Sequence, residues 1–225
     1  MKDNSIRIML LSLIILGVFL GAYEGLWRQG AKKVANYNIK LTQTQENINI
    51  LVIWDASDSM WEEGYGIEKI IQSKDVLETF VNNIPEEINV GLRISGSRRI
   101  DDLGDSFLAT PIKNGNKENM LNFITNVKPV GKASIAHSLD EARKDLHSVK
   151  GKKFMLLVSD GIDKGEITTD EVIKNIIKEN ITLHIVHIGE GDNELKDKLK
   201  NMAAKTGGFY YSYNEQEEVI KTFIQ

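Results

Sequence analysis

From residue 47 onwards, apolar residues fall in two alternating rhythms. Short β-branched runs read as strands buried on both faces: the opening of Asn47–Met60, then Val90–Ser95, Lys153–Ser159 and Thr182–Ile188, with Gly208–Tyr211 a shorter one. Phe107–Ile112 reads as a short antiparallel edge strand. Between the strands, apolar residues recur at helical spacing over Ile67–Val81, Lys117–Val127, Ile135–Leu146, Val172–Ile177, Leu195–Ala204 and Val219–Ile224. Pro85 closes the first of these regions, and the loop Gly131–Ser134 leads into the third. The alternation predicts an α/β domain, a doubly wound and mostly parallel sheet flanked by helices and joined by right-handed crossovers. No further domain is expected after the last helix.

The first 46 residues have a different pattern. Met1–Arg7 is a polar head, and Ile8–Tyr23 is uncharged and rich in Leu, Ile, Val and Phe. As a helix rising ~1.5 Å per residue, that run is roughly 24 Å long, short of a hydrocarbon core of ~30 Å. Extending it through Trp27 reaches the span, with Trp27 and Arg28 as boundary anchors. A cleaved signal peptide is the competing reading, but no small-x-small pair follows the apolar core: Leu20 precedes Ala22 and Phe19 precedes Gly21. The expectation is one transmembrane signal-anchor over residues 8–27 and a polar linker over residues 28–46, followed by the α/β domain over residues 47–225. Basic residues lie on both sides of the span, so charge alone does not orient it. The short head favours a single-pass protein of the cell membrane with its domain extracytoplasmic.

Composition narrows the functional classes. A chain of 225 residues with 41% hydrophobic content has room for one well-buried domain and an appendage. A net charge of −4, with no basic cluster beyond short pairs, gives no electrostatic footprint for nucleic acid. The absence of cysteine rules out disulfides and thiolate metal sites.

The chemistry gathers at two strand ends. The first strand runs into Asp55, Ser57 and Ser59, three oxygen-bearing residues spaced two apart and so directed to one side of an extended or gently turning segment. The Lys153–Ser159 run ends in Asp160-Gly161. If those strands are neighbours, both carboxylates and both hydroxyls reach one rim and offer oxygen ligands to a hard cation, at the sheet end where open α/β folds bind ligands.

Asp55-Ala56-Ser57-Asp58-Ser59-Met60 resembles the Asp-x-Ser-x-Ser of the metal-ion-dependent adhesion site in von Willebrand factor type A (VWA) domains, and Ser159-Asp160-Gly161 resembles that site's second aspartate. The five-residue pattern alone is weak, arising by chance in on the order of a few per cent of chains this long. Its context adds specificity, because Asn89–Ile94, Gly131–Ile135 and Thr206–Tyr210 are also similar to the family.

The resemblance implies Mg²⁺, or Mn²⁺ or Ca²⁺, held by Ser57 and Ser59 directly and by Asp55 and Asp160 largely through water. In the family a threonine from a third loop also contributes. Here Ala133 stands at that position, and a methyl cannot ligate a cation. Water could fill the gap, or Ser134 could turn its hydroxyl inward, although the mouth of a helix suits Ser134 as an N-cap. The alternative is a site without metal.

Two aspartates balance a divalent cation and leave it electrophilic, so a partner's Glu or Asp can complete its shell. The implied function is a membrane-tethered module that recognises an acidic side chain of a protein partner. The competing readings are a metal-free scaffold and a metal-dependent hydrolase. The hydrolase lacks an evident base, His137 being the one distant candidate.

Trp61, just past the motif, is expected on the rim as a partner contact, and Trp54 in the core. Asp58 and Asp163 read as loop and turn residues. His184 and His187, three apart in one strand, point to opposite faces, and His147 reads as a surface residue. Gly189-Glu190-Gly191 is too short for a phosphate loop and reads as a turn.

Overall fold

The computed structural model describes residues 23–26, 28–29, 32, 47–163 and 169–224. The chain divides into two units, Met1–Glu46 and Asn47–Gln225. In the first, the described residues are helical and exposed. The expected anchor Ile8–Trp27 lies outside the described residues except for Tyr23–Leu26, and so does most of the expected linker. Among the described residues, no helix is long and apolar enough to cross a membrane.

The second unit is built on strands β1 (Ile48–Asp55), β4 (Asn89–Ser95), β5 (Ser106–Lys113), β6 (Lys152–Ser159), β7 (Ile181–His187) and β8 (Tyr210–Ser212), with the two-residue strands β2 (Glu63–Gly64) and β3 (Ile67–Glu68) forming a small hairpin. The helices are α1 (Lys69–Asn83), α2 (Lys117–Asn126), α3 (Ile135–Leu146), α4 (Thr169–Lys178), α5 (Asn193–Lys205) and α6 (Gln216–Ile224). The main sheet runs β5-β4-β1-β6-β7-β8, and every pairing is parallel except β4 with the edge strand β5.

Alternation along β1 divides the core. Ile50, Val52 and Trp54 pack with Leu77 and Phe80 of α1, Ile124 of α2 and Phe223 of α6. Leu51 and Ile53 face the other way, onto Leu139 of α3, Ile173 of α4 and Leu199 of α5. Among the described residues three helices therefore cover each side, and the central strands are apolar on both faces because neither face meets water. Trp54 is fully buried, and its indole N–H donates to the Ser73 hydroxyl at 3.0 Å.

One expected boundary moves. The first helix begins at Lys69 rather than Ile67, because Ile67 pairs with Gly64 in the β2–β3 hairpin. The intervening Tyr65-Gly66 has positive φ at both residues (54° and 76°), the signature of a tight two-residue hairpin turn. Ile67 is exposed in the hairpin, and Ile71, within α1, is exposed as well.

Candidate metal centre

β1 and β6 are adjacent and in parallel register, Trp54 opposite Val158, so their carboxyl ends finish side by side. From β1 the chain proceeds to β4 and β5 on one side, whereas β6, β7 and β8 fill the other. The β1/β6 junction is thus the point where strand order reverses, the usual crevice for ligands in open α/β sheets.

Asp55 is buried at this junction, and its carboxylate is held from two directions. Oδ1 accepts the Ser57 backbone N–H at 3.0 Å, and Oδ2 accepts the Ser159 hydroxyl at 2.7 Å. The chain then turns into a short 3-10 helix, Asp58–Trp61, which sets the Ser57 and Ser59 hydroxyls 3.2 Å apart. Neighbouring loops clamp the turn: Ala56 N–H donates to Ser95 C=O and Asp58 N–H to Gly131 C=O. Gly96 (φ +71°) approaches so closely that a Cβ there would lie 2.6 Å from the Ser57 Cα, so this position has to be glycine.

Asp160 is equally buried. Its Oδ1 accepts the Ile162 N–H at 3.1 Å, and its Oδ2 accepts the Lys69 ammonium, also at 3.1 Å. The same ammonium meets Glu62 Oε2 at 2.8 Å. Lys69, Glu62 and Ser159 are members of the site that sequence reasoning missed.

Burial pushes the Asp55 carboxyl up from 3.8 to about 6, and the neighbouring Asp160 charge pushes the same way, against the hydrogen bonds from Ser159 and Ser57. For the Lys69 ammonium, burial pulls its pKa down, but Glu62 and Asp160 more than offset this and leave it raised. Asp55 and Asp160 are thus two buried carboxylates side by side, and the Lys69 ammonium pairs with Asp160 and Glu62.

The donor set fits a hard divalent ion: it is all oxygen, two carboxylates and two hydroxyls from two adjacent strand ends. Among the described residues no cluster of three or more His, Cys, Asp or Glu could hold a metal, so the hydroxyls are essential to any such role.

The third loop contributes no oxygen at Ala133, which is buried. Ser134 is the N-cap of α3, its hydroxyl accepting the His137 N–H at 3.2 Å. Asp163, expected as a turn residue, accepts the N–H groups of Ile135 (3.1 Å) and Ala136 (3.3 Å) and so supports the same helix start. Trp61 is 47% exposed on the rim, its indole donating to Pro129 C=O at 3.1 Å.

Two histidines come near the site: His137 sits in the first turn of α3, behind the third loop, and His187 pairs in register with Ser159 at the end of β7, where burial holds its pKa down against the neighbouring Asp160. His184 stacks among Phe154, Phe209 and Phe223, and burial holds its pKa down at about 4. His187 pairs through Nδ1 with the Tyr210 hydroxyl at 2.9 Å. His147, largely exposed, meets Glu179.

A family model for the von Willebrand factor type A domain matches residues 49–225. By sequence, the chain is 28% identical over 193 residues to the uncharacterized protein YwmC of Bacillus subtilis (strain 168), covering 82% of this chain and 85% of YwmC. By structure, it is similar to an aerotolerance-related membrane protein from Bacteroides fragilis NCTC 9343, with a TM-score of 0.65 and 15% identity over 80% of this chain and 98% of that one. It is also similar to the Plasmodium vivax TRAP protein, solved loaded with manganese, with a TM-score of 0.62 and 23% identity over 80% of this chain and 74% of that one. At these identities the two structural likenesses show a shared fold.

Proposed function

Because the chain belongs to the von Willebrand factor type A family, we propose that its domain is a protein-binding module that recognises an acidic side chain of a partner through a divalent cation. Asp55, Ser57, Ser59 and Asp160 would hold that cation, Mg²⁺ or Mn²⁺ in preference to a softer ion. The observation that carries the reading is the buried pair Asp55 and Asp160 at adjacent strand ends, with the Asp55 carboxyl pushed up to about 6 by burial and by the Asp160 charge beside it. A bound divalent ion supplies an electrophilic position that a partner's Glu or Asp completes.

The chain's own residues do the rest. Ser159 and the Ser57 N–H fix the Asp55 carboxylate, and the Ser95 and Gly131 carbonyls pin the turn that carries both hydroxyls. Around this acidic centre the loops expose Trp61, Tyr65, Ile67, Ile100, Val130 and Ile162. An apolar surround of that kind suits a protein partner, since it excludes water from the central contact. Ser57 and Ser59 hydrogen-bond to each other, and the carboxyl beside Ser57 is Asp55, itself a proposed ligand of the cation and so not free to serve as a base. A binding role fits better than hydrolysis. Ile8–Trp27 would tether the module to the cell membrane, with the domain on the outer side.

A second reading, a scaffold that works without metal, is favoured by Ala133 in the third loop and by the Lys69 ammonium on Asp160. Thermal unfolding of the full-length chain with and without Mg²⁺, Mn²⁺ or Ca²⁺ separates the two. An ion that binds only the folded state adds about 2.7 kcal/mol at a hundredfold excess over Kd. The first reading expects that gain, and expects an immobilised Glu-bearing peptide to be retained with metal and released by EDTA. No gain at millimolar metal leaves the scaffold.

A further inference from the structure

Lys69 is an unusual residue to find behind this rim. It is the first residue of α1, directly after the β2–β3 hairpin, and its side chain is only 11% exposed. Its path is built for it. The loop after β7 passes so close that a Cβ on Gly189 would lie 3.1 Å from the Lys69 Cε and 3.5 Å from its Cδ and Cγ. A Cβ on Gly64 would lie 2.7 Å from the Gly189 Cα, so the hairpin closes over the same passage. The lysine stem therefore runs over a glycine floor and delivers its ammonium to Asp160.

The ammonium bridges two unlike carboxylates. Asp160 is wholly enclosed, with 1% side-chain exposure, whereas Glu62 is 64% exposed on the rim. One partner belongs to the cation-binding set, and the other is a solvent-facing acid that can hold the ammonium when it leaves. Burying a lysine is costly unless it is paired, and here one of its partners is a carboxylate of the proposed cation-binding set.

We propose that Lys69 is a resident cation of the site, an ammonium that compensates Asp160 when no metal is present, retreats to Glu62 when metal enters, and so sets a low affinity for the ion. The inference rests on the proposed metal-binding role and deepens it. It makes metal loading an exchange of one cation for another.

The test is calorimetric titration of Mn²⁺ into the full-length chain, held in mild detergent, for wild type, Lys69→Met, Lys69→Gln and Lys132→Met. Lys132 is an exposed lysine of the Gly131–Ser134 loop, paired with Asp101, and controls for a general loss of positive charge. Removing a competing charge at hydrogen-bond distance is expected to tighten Mn²⁺ binding by about tenfold or more in both Lys69 variants, against less than about twofold for Lys132→Met. Lys69→Gln keeps a donor for Asp160 and carries the test if Lys69→Met does not fold. Wild type that binds Mn²⁺ while the Lys69 variants bind it no more tightly overturns the exchange and leaves the metal-binding role standing. Variants that bind Mn²⁺ where wild type does not support the exchange and remove metal from the native function. Folded proteins that all fail to bind overturn both.

Discussion

Asp55 and Asp105 are two aspartates buried at the same end of the same sheet, and they end up in opposite electrostatic states. Burial pushes the Asp105 carboxyl up, but the N–H groups of Arg98 and Arg99 and the Arg98 guanidinium more than reverse that, leaving it below its usual 3.8. For Asp55 burial wins, because its hydrogen bonds come from neutral donors and Asp160 adds a second negative charge. Asp105 is a finished structural contact that locks the loop between β4 and β5. Asp55 sits instead beside a second buried carboxylate, so burial alone does not separate the two aspartates; the charges around them do.

The largest expected effect is on the structural side. Asp105→Ala strips two backbone N–H groups and an arginine of their acceptor, which should cost about 3 kcal/mol of stability in denaturant melts. Asp55→Asn, measured in EDTA, should cost far less or stabilise the fold, because it removes a repulsion along with a contact.

Next comes pH. A carboxyl whose folded-state pKa is raised from 3.8 to about 6 binds its proton more tightly in the folded protein than in the unfolded one. In EDTA, stability should therefore rise as pH falls from about 6 towards 3.8. The gain should reach about 2 kcal/mol, at ~1.4 kcal/mol for each pH unit crossed and with allowance for the Asp160 charge. Asp55→Asn should remove that slope. Asp105, shifted the other way, works against stability only once pH drops towards 3.8 and below.

A smaller effect is expected from Ala133→Thr. An added hydroxyl in the third loop should tighten metal binding by about 1 kcal/mol, read as a several-fold lower Kd. Smallest in stability is Trp61→Ala, within about 0.5 kcal/mol because the side chain is half exposed. Its effect on a bound acidic partner should be much larger, as exposed tryptophans at interface centres often are.

Much of this arrangement was legible in the linear chain. The apolar runs of β1 and β6 could hardly be anything but buried parallel strands, and α3 falls at Ile135–Leu146 as its periodicity predicts. The two-residue spacing of Asp55, Ser57 and Ser59 put three oxygens within one turn of the chain.

What stayed hidden was long-range or sterically subtle. Nothing in the sequence brings Lys69 to Asp160, and the helical region read as starting at Ile67 hid the Tyr65-Gly66 turn that draws Ile67 into a hairpin and leaves it exposed. Tyr-Gly in place of Asn-Gly masked that turn. Asp163 acts on a helix start 28 residues earlier in the chain, and no spacing in the sequence marks Asp105 as the acceptor of two backbone N–H groups. Ser134 and Ala133 were legible as types, but only the folded chain shows the Ser134 hydroxyl committed to capping α3.

The most direct measurement is an electron paramagnetic resonance titration of Mn²⁺ with the full-length protein and with Asp55→Asn and Asp160→Asn. Loss of the free-ion signal at one Mn²⁺ per wild-type chain, abolished in both variants, is the predicted result. An undiminished free-ion signal with wild type, or equal binding by the variants, would contradict the account.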